Sequence, residues 1–173
     1  MASQFIHITL PDGTRKQVPA GCTVREALTP EGGRLDAKVL AAKINGEPMD
    51  LSRPLEQDAT IEPLTFESAE GREVYRHSST HIMAQAVKEV FPTAQLTIGP
   101  ALDDGFYYDF AFDRPFTPED LEKIEARAIE IMKRGLTVTR SELSKQDAIK
   151  FFQERGEGYK VELINSFDDA SPI

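Results

Sequence analysis

Two turn signals, Pro11-Asp12-Gly13 and Asn45-Gly46, set the architecture of the first 64 residues, because each forces a tight reversal between apolar segments. Residues 4 to 10 alternate, with Ile6, Ile8 and Leu10 on one face and His7 and Thr9 on the other, and a return segment through Lys16 to Val18 closes a hairpin. Thr23 followed three residues later by Glu26 predicts a capping box for a short helix carrying Val24, Ala27 and Leu28, with Pro30 just beyond. Val39 to Ile44 and Ala59 to Leu64 read as strands on either side of the Asn45-Gly46 turn. Strands, one helix and more strands in so short a span predict a compact α+β unit.

Thr65 to Gly71 is polar and without period, so it reads as a linker, with a second domain starting near Arg72. That domain opens on a helix-compatible run ending at Pro92, which carries His77 and His81 near its start. Phe106, Tyr108, Phe110 and Phe112 would share one face of a strand, an aromatic stripe most economically assigned to core. Thr117-Pro118-Glu119-Asp120 caps and starts a helix that Gly135 ends after Lys133 and Arg134. Leu136 to Leu143 reads as a strand, Ser144 caps a helix holding Ala148, Ile149 and Phe152, and Tyr159 to Ile164 reads as a further strand.

A chain of 173 residues with 40% hydrophobic content can build real cores. No apolar run approaches a membrane helix and the N-terminus lacks a basic leader, so the expected location is the cytoplasm. Cys22 is the single cysteine; it forms no internal disulfide, offers no paired-thiolate zinc site, and is expected to be a small buried apolar residue. The net charge of -9 argues against a broad phosphate-binding face. The imbalance lies mainly in the second part, with 7 basic against 9 acidic residues before Phe66 and 13 against 20 from there on. A nucleic-acid partner would have to be held locally.

His77 and His81 stand four residues apart, about one helical turn, so both imidazoles project from one face. The other histidine, His7, sits far upstream. Such a pair converges on one metal, water or substrate group, or consists of one exposed and one hydrogen-bonded polar residue. Ser78 stands where a His-Glu-x-x-His metalloprotease needs its general base, and a structural zinc site has no second ligand pair. Asp103, Asp104 and Asp109 flank a glycine turn and read as solvated acids; Gly156-Glu157-Gly158 reads as a plain turn. The residues alone define a small binding module joined to a domain with a histidine pair.

The whole chain resembles the N-terminal region of the bacterial threonyl-tRNA synthetase family. Leu10-Pro11-Asp12-Gly13, Gly21-Cys22-Thr23, Lys43-Ile44-Asn45-Gly46 and Asp50-Leu51 resemble a TGS domain, a ubiquitin-like β-grasp module, in residues 1–64. After a linker at 65–71, residues 72–173 resemble that family's editing domain through Arg76-His77-Ser78-Ser79-Thr80-His81, Ile98-Gly99-Pro100, Gly105-Phe106-Tyr107-Tyr108-Asp109 and Arg155-Gly156-Glu157-Gly158-Tyr159-Lys160. The implied fold class is α+β: a β-grasp domain followed by a class II synthetase editing domain, incomplete at its C-terminus. In the family the histidine pair is completed by a later Cys-x-x-x-His, whereas this chain stops at Ser171-Pro172-Ile173, so it reads as a fragment without the ligation and anticodon-binding domains.

The resemblance implies a parent threonine-tRNA ligase that uses ATP and a zinc ion in its ligation domain, with neither cofactor held in this fragment. It implies that the editing region hydrolyses seryl-tRNA(Thr) mischarged by the parent, with the acceptor end of tRNA(Thr) as partner, no membrane, and a parent homodimer formed through the missing domains. His77 and His81 would surround the ester and ribose hydroxyls, Lys160 would stabilise the oxyanion or hold the water, and Tyr108 would hydrogen-bond nearby. The pair would become a metal site only if completed by the missing Cys and His. Two other readings stand beside this one: a non-catalytic TGS regulatory module, and a free-standing trans-editing deacylase.

Overall fold

The computed structural model describes residues 5–168 and Ile173; Gln4, where the first alternating segment was read to begin, and Ser171 and Pro172 of the last tripeptide lie outside the described residues. The chain forms two compact units, Met1–Tyr75 and Arg76–Ile173. Among the described residues, no helix is long and apolar enough to cross a membrane.

The first unit is a five-stranded sheet with one short helix. Its strands β1 (Phe5–Thr9), β2 (Arg15–Pro19), β3 (Val39–Ile44), β4 (Glu47–Met49) and β5 (Ala59–Thr65) are ordered β2-β1-β5-β3-β4. The central β1–β5 pair is parallel and the other neighbours are antiparallel. Alternation decides which side is buried: Ile6 and Ile8 face in while Phe5 and His7 face out, and Ala59 and Ile61 face in from β5, whereas Leu64 is buried out of phase with them. Asn45 and Gly46 have φ of 52° and 92°, the left-handed pair that a two-residue hairpin requires and that Asn-Gly adopts most cheaply. Helix α1 (Val24–Leu28) starts on the expected capping box, in which Thr23 accepts from the Glu26 amide at 3.2 Å and Glu26 accepts from the Thr23 amide at 2.7 Å. It lays Val24 and Ala27 on the sheet core, and Cys22 packs against the same core, half-buried, with burial pushing its thiol up.

The stretch read as a linker is ordered. Thr65 closes β5, residues 66–68 turn, and helix α2 (Ala69–Val90) begins directly afterwards. Gly71 is demanded there by close approach, since a Cβ at this position would lie 1.8 Å from the Thr65 carbonyl oxygen. The histidine pair therefore sits two turns inside a 22-residue helix rather than at its start.

The second unit folds around the rest of α2. Short strands β6 (Gln95–Leu96), β7 (Ala101–Leu102), β8 (Gly105–Phe106) and β9 (Phe110–Ala111) pair as β6–β9 and β7–β8, forming one reversal tipped by Asp103 and Asp104, which are exposed as expected. The aromatic stripe is thus split between two short strands. Phe110 and Phe112 join Phe91 and Phe116 in the core, with ring separations of 5.2 to 5.8 Å, while Tyr107 is exposed. Helix α3 (Pro118–Lys133) has the predicted Thr117 cap and Pro118 start, and Ile124, Ala128 and Ile131 pack it on α2. Helix α4 (Lys145–Gln153) is capped by Ser144 as expected.

Two strand expectations fail. Leu136 to Leu143 forms no strand, because a strand exists only through a ladder and among the described residues only Leu143 has one rung, exchanging hydrogen bonds of 2.9 and 3.1 Å with Ile173. Tyr159 to Ile164 lies in helix α5 (Gly158–Asn165), packed on α4. Its polar-apolar alternation is compatible with either period over six residues, and the helix buries Ile164 while Lys145 of α4 reaches the carbonyls of Asn165 and Phe167 at 3.3 and 2.7 Å.

Candidate functional site

Helix α2 presents His77 and His81 on one face, and their rings meet edge to face with centroids 4.7 Å apart. Their Nε2 atoms are 3.0 Å apart, so one donates and the other accepts. The pair therefore holds a single proton between its inner nitrogens. The ring of His81 is kept below the usual imidazole range first by partial desolvation and then by electrostatic repulsion from the neighbouring His77 and the Lys160 ammonium. Thr80, fully buried, ties its hydroxyl to the His77 carbonyl at 2.7 Å and stiffens this turn. Arg76, beside the pair, donates to the carbonyls of Leu102 and Asp103 and thereby fixes the β7–β8 tip on α2.

Lys160 arrives from α5. Because that segment is a helix, Glu157, Lys160, Val161 and Ile164 fall on one side, whereas a strand would have separated Glu157 from Ile164. The Lys160 ammonium donates to the Thr97 carbonyl at 2.9 Å and acts on His81 through its charge. Thr97 in turn donates its hydroxyl to the Asp109 carbonyl at 2.7 Å, next to Tyr108.

Tyr108 stacks on Phe110 at 4.8 Å and lies flat on Gly99, where a Cβ would come within 2.1 Å of its ring. Burial and then the charge of Glu157 push its hydroxyl up, so Tyr108 is a proton donor at neutral pH. Its stacking on Phe110 places it in the aromatic stripe. Glu157, only 9% exposed, pairs with Lys88 at 2.9 Å. The contacts of Glu157, Lys88 and Gly99 join residues well separated in the chain and are not legible in it. Gly156-Glu157-Gly158 reads as a turn from its residues and as part of the Arg155 to Lys160 motif from the resemblance, and neither reading points to the ion pair with Lys88.

An open cleft of about 520 Å³ runs along the outer face of α5, between Thr97, Ile98 and Asp109 on one side and Tyr159, Glu162 and Leu163 on the other. Neither histidine lines it. As metal donors the described residues fall short: no group of three or more His, Cys, Asp or Glu converges, and the two inner imidazole nitrogens face each other. The arrangement can pass a proton between the two rings.

The parallel central pair, the short helix packed on one side and the five-strand order define the first unit as a ubiquitin-like β-grasp module, and residues 6–65 match the family model of the TGS domain. Over about 95% of its length the chain is similar to the N-terminal part of threonine–tRNA ligases. It is 52% identical over 167 residues to the threonine–tRNA ligase of Symbiobacterium thermophilum, covering 96% of this chain and 26% of that protein. For the threonine–tRNA ligase of Citrifermentans bemidjiense the identity is 50% over 159 residues, covering 92% and 25%. With that of Acetivibrio thermocellus it is 46% over 169 residues, covering 98% and 27%. The chain spans about a quarter of the length of these relatives.

Proposed function

We propose that the second unit contributes an editing site that hydrolyses the seryl ester of mischarged tRNA(Thr), within a protein whose other parts join threonine to tRNA(Thr) with ATP. The similarity to threonine–tRNA ligases supports the parent activity. The observation that carries the editing role is the 3.0 Å contact between the His77 and His81 inner nitrogens, with the charge of Lys160 acting on His81.

The chemistry follows from the atoms. An imidazole pair holding one proton between its inner nitrogens can take a proton from an attacking water or a ribose hydroxyl and return it to the leaving oxygen. The Lys160 ammonium supplies positive charge where the ester oxygen becomes anionic, and Tyr108, protonated, supplies a hydrogen bond. A second site is needed because serine lacks only one methyl group of threonine, worth roughly 1–3 kcal/mol of discrimination. A pocket that admits serine and excludes the methyl group by shape removes the error.

On this reading the partner is the acceptor end of tRNA(Thr), held locally because the chain carries a net charge of -9. ATP and zinc belong to the ligation chemistry of the parent, and His77 and His81 act without a metal. A homodimeric, cytoplasmic parent completes the proposal. Deacylation of seryl-tRNA(Thr) and threonyl-tRNA(Thr), by this chain and by the chain continued to the length of its relatives, tests it. Selective release of serine that depends on His77 is expected. Equal turnover of both esters, or none in the longer protein, overturns the editing role and leaves the TGS unit as a non-catalytic binding module.

A further inference from the structure

Lys88 lies two turns beyond His81 on α2, and its ammonium has three partners: Glu157 Oε1 at 2.9 Å and the carbonyls of Ala94 and Pro92 at 3.0 and 3.1 Å. Those are all the hydrogens it has to give. It therefore joins the end of α2, the turn at 92–94 and the first residue before α5. On the other side, Glu157 occupies the N-cap position of α5 yet makes no side-chain cap bond; its carboxylate is spent on Lys88 instead. Its second oxygen has no hydrogen-bond partner among the described residues. A buried carboxylate left half-satisfied, at a position where it forgoes capping its own helix, is costly to keep.

We infer that the Lys88–Glu157 ion pair is the positioning element of the candidate site, bolting the start of α5 to α2 and thereby holding Lys160 against the histidine face. Lys160 is three residues, less than one turn, beyond Glu157, so a shift of the α5 start moves its ammonium directly. The bond from Lys160 to Thr97 is a second tether, but Thr97 is itself carried on the short reversal that follows the 92–94 turn held by Lys88. Neither Lys88 nor Glu157 needs to touch substrate. The inference rests on the reading of His77, His81 and Lys160 as one site, yet it has a readout of its own.

The chain holds three histidines, so labelling their imidazoles gives three signals to follow against pH, with His7 as an internal control. The charged groups that act on His81 are His77 from its own helix and Lys160 from α5. Removing the Glu157 charge without moving Lys160 would make the surroundings more positive and lower the His81 titration further. Glu157→Gln is instead expected to raise it, because Lys160 is released; Lys160→Met alone raises it too, and adds nothing in the Glu157→Gln background. Lys88→Arg, which keeps the charge and the donors, is expected to stay near the wild type.

In seryl-ester hydrolysis Glu157→Gln is expected to lower kcat by on the order of 10- to 100-fold with KM nearly unchanged, the signature of a misplaced group rather than lost binding. A His81 titration that stays put or falls in Glu157→Gln overturns the inference, whatever the hydrolysis assay gives. If Glu157→Gln fails to fold, Glu157→Asp, which draws the carboxylate back by one methylene, must raise the His81 titration in the same direction or the inference is overturned. A wild-type protein that releases no serine overturns the editing function alone, since the titrations still decide the positioning role.

Discussion

The ε-nitrogens of His77 and His81 stand 3.0 Å apart on one face of α2, so the two rings cannot both carry a proton on the inner nitrogen. Acid must break this contact. His81 is held below its ordinary value of 6.5, so in the folded protein it stays neutral in a range where the unfolded chain would bind a proton. Its contribution to stability is therefore complete above about pH 6.5 and is lost as the pH falls toward its own lowered value. Denaturation midpoints measured across this window are expected to drop on acidification, and His81→Gln is expected to flatten that drop. An unchanged slope in the variant would show that other groups dominate.

In the longer protein, His77→Ala and Lys160→Ala are each expected to reduce seryl-tRNA(Thr) hydrolysis by on the order of 10²- to 10³-fold, the usual effect of removing one proton-handling or charge-stabilising group. Threonine attachment should be largely spared. Steady-state deacylation and aminoacylation assays on the same preparations separate the two. A double variant with wild-type hydrolysis would return the pair to an ordinary structural role.

Gly99→Ala places a methyl group 2.1 Å from the Tyr108 ring and must displace it from Phe110. A loss of about 1–3 kcal/mol is expected, as for other overpacked sites, read by chemical denaturation of the second unit. Hydrolysis should fall with it. Gly99→Ala with wild-type stability and tyrosine environment would mean the ring has room that the structure does not give it.

Ile61→Ala empties a site 1% exposed at the centre of the β-grasp core and is expected to cost about 2–5 kcal/mol. The expected outcome is early unfolding of residues 5–65, seen by hydrogen exchange, while the imidazole signals of His77 and His81 are unchanged. Coupled loss of both would refute the independence of the two cores.

Metal analysis after dialysis is expected to find no stoichiometric zinc in this chain, since two mutually bonded histidines leave a coordination sphere open. One retained zinc per chain would require carboxylates or a second chain to complete it.

Elements whose signals are local were legible in the residues. Thr23 and Glu26 cap each other, Thr117 caps α3 and Asn45-Gly46 turns the β3–β4 hairpin, because each feature is an interaction within four residues. Where a segment's state depends on a distant neighbour, the reading failed. Leu136 to Leu143 has strand composition without a ladder, and Tyr159 to Ile164 has strand alternation inside a helix.

The sequence by itself determined the alternating faces of β1, the capped starts of α1, α3 and α4, and the four-residue spacing that puts His77 and His81 on one face, because each is set by local interactions or backbone periodicity. Tertiary structure alone decided that α5 is a helix, which turns Glu157 and Lys160 to the same side, and that Lys88 meets Glu157 across 69 positions of chain. The reason is that an ion pair or a stacked ring is selected by the energy of burying it, and burial is set by what the rest of the fold brings alongside.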